Sequence, residues 1–522
     1  MSPTTPTAAA APWWRLLTRY HWYVFALAAL GWLFDTMDGM IFTASRSITM
    51  ADLLAGSSPA VQIRYGGYVT SLFILGWATG GLIFGIVGDK WGRAKTMALT
   101  IFIYAAFTGL SGLARTWEFF GLCRFLTGLG VGGEFAAGAA LVAEVMPEKA
   151  RAQALGMLQS LSAFGNILGA TLFGLIEPVW GWPGLYVVGA FPALLAVIVR
   201  LGLKEPERWV AAKAAAKRTA GGAQAVRLGS MSELFTNPQW RRHTLVGLGL
   251  ALAGIIALWG AGFWTPELID STIPAMKPET RDRIRSALAA PSPAEQTARL
   301  AALDPEDRKR YLELHSRTRG ASRHRDEQAA LSAPLDPDHA SRLSTMLEKA
   351  MTAEERTRLK SRALILQQLG AFAGMFTFGL LAARIGRRWT FLLSFILGWG
   401  SVFLTFLTFQ QPAQVWYLWP ILGFGVLMPF GGYALYFPEL FPTRLRTTGT
   451  GTCYNTGRFV AAMAPLILVG LAGALEGKFP IAGFRLAAVL VSTSYLLGFL
   501  ALIWAPETKD RPLPEDERAL AH

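Results

Sequence analysis

Twelve apolar stretches of about 20 residues, separated mostly by short polar gaps, constrain this chain more than anything else in it. They lie near 22–47, 66–88, 96–114, 117–145, 152–178 and 182–203, then near 243–268, 362–384, 388–409, 414–438, 449–474 and 483–505. Each is long enough to cross a hydrocarbon core, where a lone segment satisfies its own backbone hydrogen bonds only as a helix. The expected fold class is therefore an all-α membrane protein with 12 transmembrane helices. Composition agrees, with 52% hydrophobic and only 16% charged residues, against about 25% charge in soluble chains. The net charge of +14 does not point to nucleic acid: the basic residues sit mostly in gaps between spans, with no zinc-finger spacing, RNP motif or dense basic arm. The apolar segment after Met1–Tyr20 is too long for a signal-peptide core and reads as a retained first helix.

Orientation follows from the short gaps. Lys90, Arg93 and Lys95 follow span two, Lys149 and Arg151 span four, Arg384, Arg387 and Arg388 span eight, and Arg444 and Arg446 span ten. The gaps at 178–184 and 410–414 carry no basic residue, so the positive-inside rule places both termini in the cytoplasm of an inner-membrane protein. The expected organisation is a tail (1–21), a six-helix bundle (22–204), a basic linker (205–241), helix seven (242–269), an extracytoplasmic insertion (270–361), helices eight to twelve (362–505) and a second tail (506–522). The insertion is polar and of balanced charge. It is either a set of short amphipathic helices capping the outer mouth or a disordered segment with no part in the chain's main activity.

Two motifs recur. GIVGDKWGR (Gly85–Arg93) has the spacing G-x3-D-x2-G-R, and GLLAARIGR (Gly379–Arg387) repeats it at an offset of 294 with Ala383 in the acidic position. EVMPEKAR (Glu144–Arg151) and ELFPTRLR (Glu439–Arg446) share E-x2-P-x3-R at an offset of 295. Two independent motifs at nearly one offset mark a duplicated six-span unit, hence two pseudo-symmetric six-helix bundles with the polar insertion between helices 7 and 8. Duplicated halves of this kind are a common plan for secondary transporters, with a binding site near the midplane between them.

On these residues the chain resembles the major facilitator superfamily over essentially its whole length outside 270–361, GIVGDKWGRAK being that superfamily's signature between spans two and three. RFLTGLGVGGEFAAGAALVAEVMPEKAR (Arg124–Arg151), LKEPERW and YFPELFPTRLRTTGTGTCYNTGRFVAAMAP narrow the likeness to the branch of sugar porters and metabolite/proton symporters. Acidic residues in span one with G-G-E in span four are most similar to bacterial symporters for organic acids, including aromatic acids and sialic acid. Two departures stand out: the usual D-G-x-D of span one is here Asp35-Thr36-Met37-Asp38-Gly39, and the sugar porters' P-E-S-P-R is Glu205-Pro206-Glu207-Arg208-Trp209. The resemblance implies proton-coupled import of a small solute by alternating access. It also implies that Asp89 helps hold the outward-facing state, within a gating set of Gly85, Asp89, Gly92, Arg93, Glu144, Arg151, Gly386, Arg387, Glu439 and Arg446. Ala383 cannot repeat the Asp89 contact, so the gate is expected to be asymmetric.

Asp35, Asp38, Arg124 and Glu134 lie inside apolar runs, where a charge costs roughly 3 kcal/mol or more and normally faces a cavity or a partner. Counting about 1.5 Å per residue puts Asp35 and Arg124 at similar depth, so an Asp35–Arg124 pair is expected, with Asp35 as proton carrier and Asp38 one turn outward at the substrate or its entrance. Glu134 serves either helix packing or proton coupling. Gln159, Asn166, Gln367, Gln368, Tyr433, Tyr436, Asn455 and Arg458 are candidates for a polar cavity, each equally suited to joining helices. Arg458 would suit a substrate carboxylate or pair with a carboxylate near a helix end. Trp32, Trp259 and Trp264 either wall the cavity or anchor the interface.

Cys123 and Cys453 fall in apolar runs and read as packing, with no disulfide. The six histidines lack zinc spacing, so no metal is expected, and no G-x4-G-K-[ST] loop is present for ATP. No cofactor or enzymatic site emerges. The partners expected are a small-molecule substrate, protons and the lipid bilayer, for a monomer that moves an organic acid. The alternatives are a sugar or polyol carrier or facilitator, and a non-transporting sensor on the same scaffold.

Overall fold

Helix ends in this chain are set by local caps around the apolar runs. Thr18 accepts from the His21 amide before the first helix, Thr116 from Phe119 before the fourth, and Asn237 caps a helix opening with Pro238. In the computed structural model the first half comprises α1 (Arg19–Leu53), α2 (Pro59–Trp91), α3 (Arg93–Ser111), α4 (Trp117–Val145), α5 (Glu148–Ser160) and α6 (Ser162–Val188). The linker carries α7 (Glu207–Arg218) and α8 (Glu233–Thr236), followed by α9 (Pro238–Gly260) and α10 (Thr265–Thr272). The insertion holds α11 (Pro278–Leu288), α12 (Pro293–Ala301), α13 (Pro305–Arg319) and α14 (Pro337–Lys349). The chain ends with α15 (Ala353–Ile385), α16 (Arg387–Thr408), α17 (Val415–Leu440), α18 (Arg446–Ala461), α19 (Gly483–Ser492) and α20 (Tyr495–Trp504). The structure describes residues 12–514 apart from 58, 192–197, 199–201, 219–227, 275, 320–336, 464–466, 468–470, 473, 476–477 and 479–482.

Among the described residues, ten helical segments are long and apolar enough to cross a membrane. Expected spans six and eleven fall partly outside the described residues. Gly181, at φ 65° and ψ −177°, breaks the helix between spans five and six, inside the gap expected there. Span seven is not one helix over 242–269: α9 stops at Gly260, Ala261 leaves helical geometry (φ −134°), and α10 restarts at Thr265.

The two halves use one packing device. On α2, an added Cβ at Gly76 or Gly80 would lie 2.1 and 1.9 Å from the carbonyl oxygens of Phe125 and Leu129 on α4. In the second half, Gly370 and Gly374 on α15 face the carbonyls of Pro420 and Phe424 on α17 at 2.0 and 2.3 Å. Without side chains at these sites the paired backbones pack directly together, as small residues allow in lipid. The repeat falls at an offset of 294, matching the loop motifs.

The insertion is folded in its described part. Ile284, Ala287, Leu300, Leu303, Tyr311, Leu314, Leu343 and Leu347 from α11 to α14 and their connections form a core of its own. Its ends meet at a neck, where the Met276 amide donates to Met351 O (2.8 Å) and the Met351 amide to Pro274 O (3.1 Å). Of the two sequence alternatives, the structure takes the amphipathic helices.

Candidate functional site

α1 and α4 run antiparallel against each other, and this register decides which charges meet. Arg124 pairs with Asp38, its Nη1 3.2 Å from both carboxylate oxygens. The expected Asp35–Arg124 pair does not form, because one helical turn separates the two aspartates and the register brings the outer one to the arginine. The remaining donors of Arg124 go to Ser111 Oγ (2.8 and 3.1 Å) and Thr127 Oγ1 (3.1 Å), while Thr108 Oγ1 donates to Asp38 (2.6 Å). The guanidinium also lies 4.9 Å from the Tyr186 ring centre. Both side chains are fully buried and saturated.

One turn inward the situation reverses. Asp35 and Glu134 are 1% and 2% exposed, and none of their four carboxyl oxygens receives a hydrogen bond from a donor among the described residues. The two carboxyls neighbour each other closely enough to interact directly. Glu134 Oε1 rests against the backbone of α1 at Gly31, where an added Cβ would lie 1.7 Å from it. The adjacent Trp32 packs on Phe135, with ring centres 4.8 Å apart.

Arg458 on α18 sits across the interface between the halves. It is 4% exposed, its Nη1 donates to Tyr454 O (3.0 Å) and Asn455 Oδ1 (2.9 Å), and its Nε has no partner among the described residues. The guanidinium carbon lies 4.3 Å from the Trp77 ring centre and 4.4 Å from that of Tyr454. Among the described residues no carboxylate pairs with it. Tyr454 in turn stacks on Phe135 of the other half, centres 4.0 Å apart. An array of Trp32, Phe135, Tyr454, Arg458 and Trp77 thus runs from the carboxyl pair to this cation, and the buried Oε1 of the candidate Gln159 and Nε1 of Trp77 have no hydrogen-bond partner among the described residues.

Other candidates join helices. Gln367 accepts from Thr265 (3.1 Å) and donates to Gly262 O (3.0 Å), Tyr433 donates to Leu250 O and Tyr436 to Pro506 O, each at 2.6 Å. Two others stay local instead: Asn455 donates to Gly451 O (3.0 Å) within α18, and Trp264 to Trp259 O (3.2 Å), five residues back. Asn166 donates to Gln368 across the halves at 3.3 Å.

The repeated motifs assemble at one end of the bundle, termed the gate end. Asp89 accepts from the Thr447 and Thr448 amides (3.1 and 2.8 Å) and the Thr448 hydroxyl (2.6 Å), so the first half's carboxylate caps the second half's α18. Arg93 lies 3.0 Å from Asp89 and 3.1 Å from Glu144, and donates to Thr443 O. Glu144 also reaches Arg446 across the halves at 2.7 Å. In the second half Glu439 holds Arg387 (2.8 Å) and Thr508 (2.6 Å) within its own half, and Ala383 supplies no counterpart of Asp89. Arg151 donates to Ala143 O (3.1 Å) as Arg446 does to Pro438 O (3.0 Å). Gly92 (φ 129°) and Gly386 (φ 92°) turn the two loops through backbone geometry that favours glycine, and Gly85 lets Thr447 O approach to 3.0 Å of its Cβ position.

Two gate-end acids were not among the sequence candidates. Glu205 accepts from the amides of Arg93 (2.7 Å), Ala94 (3.3 Å) and Lys95 (3.2 Å), and Glu507 from those of Arg387 (2.9 Å) and Arg388 (3.1 Å). Partial burial pushes the Glu507 carboxyl up, but the amides of Arg387, Lys509 and Arg388 outweigh this and hold it below its ordinary range. A proline-adjacent Glu just past the last span of each half is the signal that locates them.

Comparison with known proteins agrees with this architecture. The family profile described as Sugar (and other) transporter matches residues 327–519. A putative metabolite transport protein of Haemophilus influenzae is 26% identical over 498 residues, covering 95% of this chain and 98% of that one. The cis,cis-muconate transport protein of Acinetobacter baylyi is 25% identical over 453 residues, covering 86% and 87%. Among solved structures, the proton:xylose symporter XylE bound to 6-bromo-6-deoxy-D-glucose superposes with a TM-score of 0.58 at 15% identity, over 96% of this chain and 98% of that one, a likeness of fold. The Major Facilitator Superfamily profile matches residues 8–277, more than half of the sequence, and the chain belongs to that family.

Proposed function

We propose that this protein carries a small organic anion across the inner membrane together with a proton, by alternating access, as a monomer with its gate end facing the cytoplasm. The observation that carries the proposal is Arg458, a buried cation at the interface of the halves, flanked by two aromatic faces and lacking an acidic partner among the described residues. A substrate carboxylate supplies the missing charge, and the rings of Trp77 and Tyr454 suit a flat, unsaturated body. The muconate-transporting relative is named for such a dicarboxylate. Asp35 carries the proton: it is buried without a donor among the described residues, so protonation removes an uncompensated charge when the site closes. Asp38 and Arg124, mutually saturated, hold α1 against α4.

The test is uptake into proteoliposomes with external pH recorded, using cis,cis-muconate, benzoate and xylose. The expected outcome is uptake of an acid with alkalinisation of the medium. Arg458→Gln raises KM for the acid by roughly 30-fold, the equivalent of about 2 kcal/mol lost with one charge-assisted contact. Xylose uptake unaffected by Arg458→Gln, with no transport of either acid, overturns the organic-anion assignment.

A further inference from the structure

We infer that Asp35 and Glu134 act as one proton-binding pair, and that Gly31 is the positioning residue that lets Glu134 reach it. The inference rests on the proposed proton coupling and adds a second carboxyl and its seat. Both acids are at least 98% buried, and neither finds a donor elsewhere among the described residues. Two anions side by side without a cation repel each other and lose their hydration together. One bound proton resolves both problems: an O–H forms on one carboxyl and donates to an oxygen of the other, and the pair goes from two negative charges to one.

The charged and titratable groups around the pair are few. On α1, Asp38 is held by Arg124 one turn away. On α3, Tyr104 is fully buried with a hydroxyl that has no partner among the described residues, a group able to donate to the pair when it is unprotonated. From the second half, Tyr454 reaches Phe135, the residue next to Glu134, through the 4.0 Å ring stack, and Arg458 lies beyond it. That stack crosses between halves, so separating them uncovers the residue next to the pair. Proton access is thereby tied to the same movement that exposes Arg458.

Gly31 makes the arrangement specific. Glu134 Oε1 occupies the space a Cβ at position 31 would need, 1.7 Å from it. Alanine there displaces the carboxyl of Glu134 from Asp35, while shortening Glu134 by one methylene restores the room.

The experiment uses the full chain in proteoliposomes, with the acid found to be transported by the wild type, and measures accumulation driven by an imposed pH gradient alongside gradient-free counterflow. Gly31→Ala and Glu134→Gln are each expected to lower gradient-driven accumulation at least 10-fold with counterflow within about threefold of wild type. Gly31→Ala combined with Glu134→Asp is expected to recover at least half of the accumulation. Wild-type accumulation with unchanged pH dependence in Glu134→Gln, while Asp35→Asn abolishes it, overturns the pair and leaves the coupling reading intact. Accumulation driven by a sodium gradient at equal pH, and abolished by both Asp35→Asn and Glu134→Gln, overturns the assignment to a proton. Absence of any pH dependence in the wild type instead brings down the proposed function. If Gly31→Ala fails to fold, Glu134→Gln decides.

Discussion

Asp38 and Asp35 are separated by less than a helical turn and do opposite things. Asp38 is spent on Arg124 and Thr108, whereas Asp35 lies beside Glu134 with no donor among the described residues. Removing one partner from a buried ion pair leaves the other charge uncompensated, at a cost of about 3–5 kcal/mol. Asp38→Asn should therefore lower the thermal stability of the purified protein and its level in the membrane. Asp35→Asn, which leaves no cation stranded, should fold at least as well as wild type. Equal melting temperatures for the two variants would contradict this division. The sequence marked Asp35, Asp38, Arg124 and Glu134 in α1 and α4 but gave Arg124 the wrong aspartate, since depth counted at about 1.5 Å per residue does not resolve neighbouring turns on facing helices. Arg458 was legible as a buried cation, yet only the three-dimensional arrangement reveals Trp77 and Tyr454 against it.

At the level of helices, ten of the expected spans are matched among the described residues and were legible because lipid allows few alternatives to a long apolar helix. Their contacts were not, although the glycines carried the information. Gly76, Gly80, Gly370 and Gly374 keep the repeat offset and mark close backbone approaches. A side chain at Gly80 must push α4 away from α2, and overpacking of this kind costs about 1–3 kcal/mol or more. Gly80→Leu is accordingly expected to lower the unfolding temperature in detergent, while Gly67→Leu, at a position with open space around its Cβ on the same helix, should leave it unchanged. The insertion differs in kind. Its amphipathic periodicity was legible, but its neck was not, because Met276 and Met351 are joined by backbone hydrogen bonds that no side-chain pattern encodes. Since the neck already brings the ends together, replacing 277–350 with a short Gly/Ser link imposes little closure entropy. The shortened protein should reach the membrane and transport with an unchanged KM, and loss of uptake at normal protein level would give the insertion a part in transport.

For the whole molecule, the duplicated motifs produce an unequal gate. Arg93 and Arg387 make equivalent bonds to Gly88 O and Ala382 O, both at 3.1 Å, so the copies share their local fold. They differ in where their acids point. Asp89 and Glu144 reach across the halves to α18 and Arg446, whereas Glu439 is bonded to Arg387 and Thr508 on its own side. On the alternating-access cycle proposed above, contacts that cross the halves exist only while the gate end is shut, so they weight the equilibrium between shut and open states, and contacts within a half do not. Asp89→Ala removes three hydrogen bonds to α18 and the neighbour of Arg93. With hydrogen bonds to charged groups worth about 1.5–3 kcal/mol, even a loss of about 2 kcal/mol shifts the shut-to-open ratio roughly 30-fold. Cys123 and Cys453 are both buried, so a cysteine introduced on the inner wall of the gate can be labelled with little background. Its labelling should speed up strongly in Asp89→Ala and in Glu144→Gln. Glu439→Gln should change that rate little while lowering the stability of the second half, because the bonds it loses are made equally in both states. Equal acceleration by all three variants would mean that the gate is symmetric after all, with Ala383 no weaker a partner than Asp89.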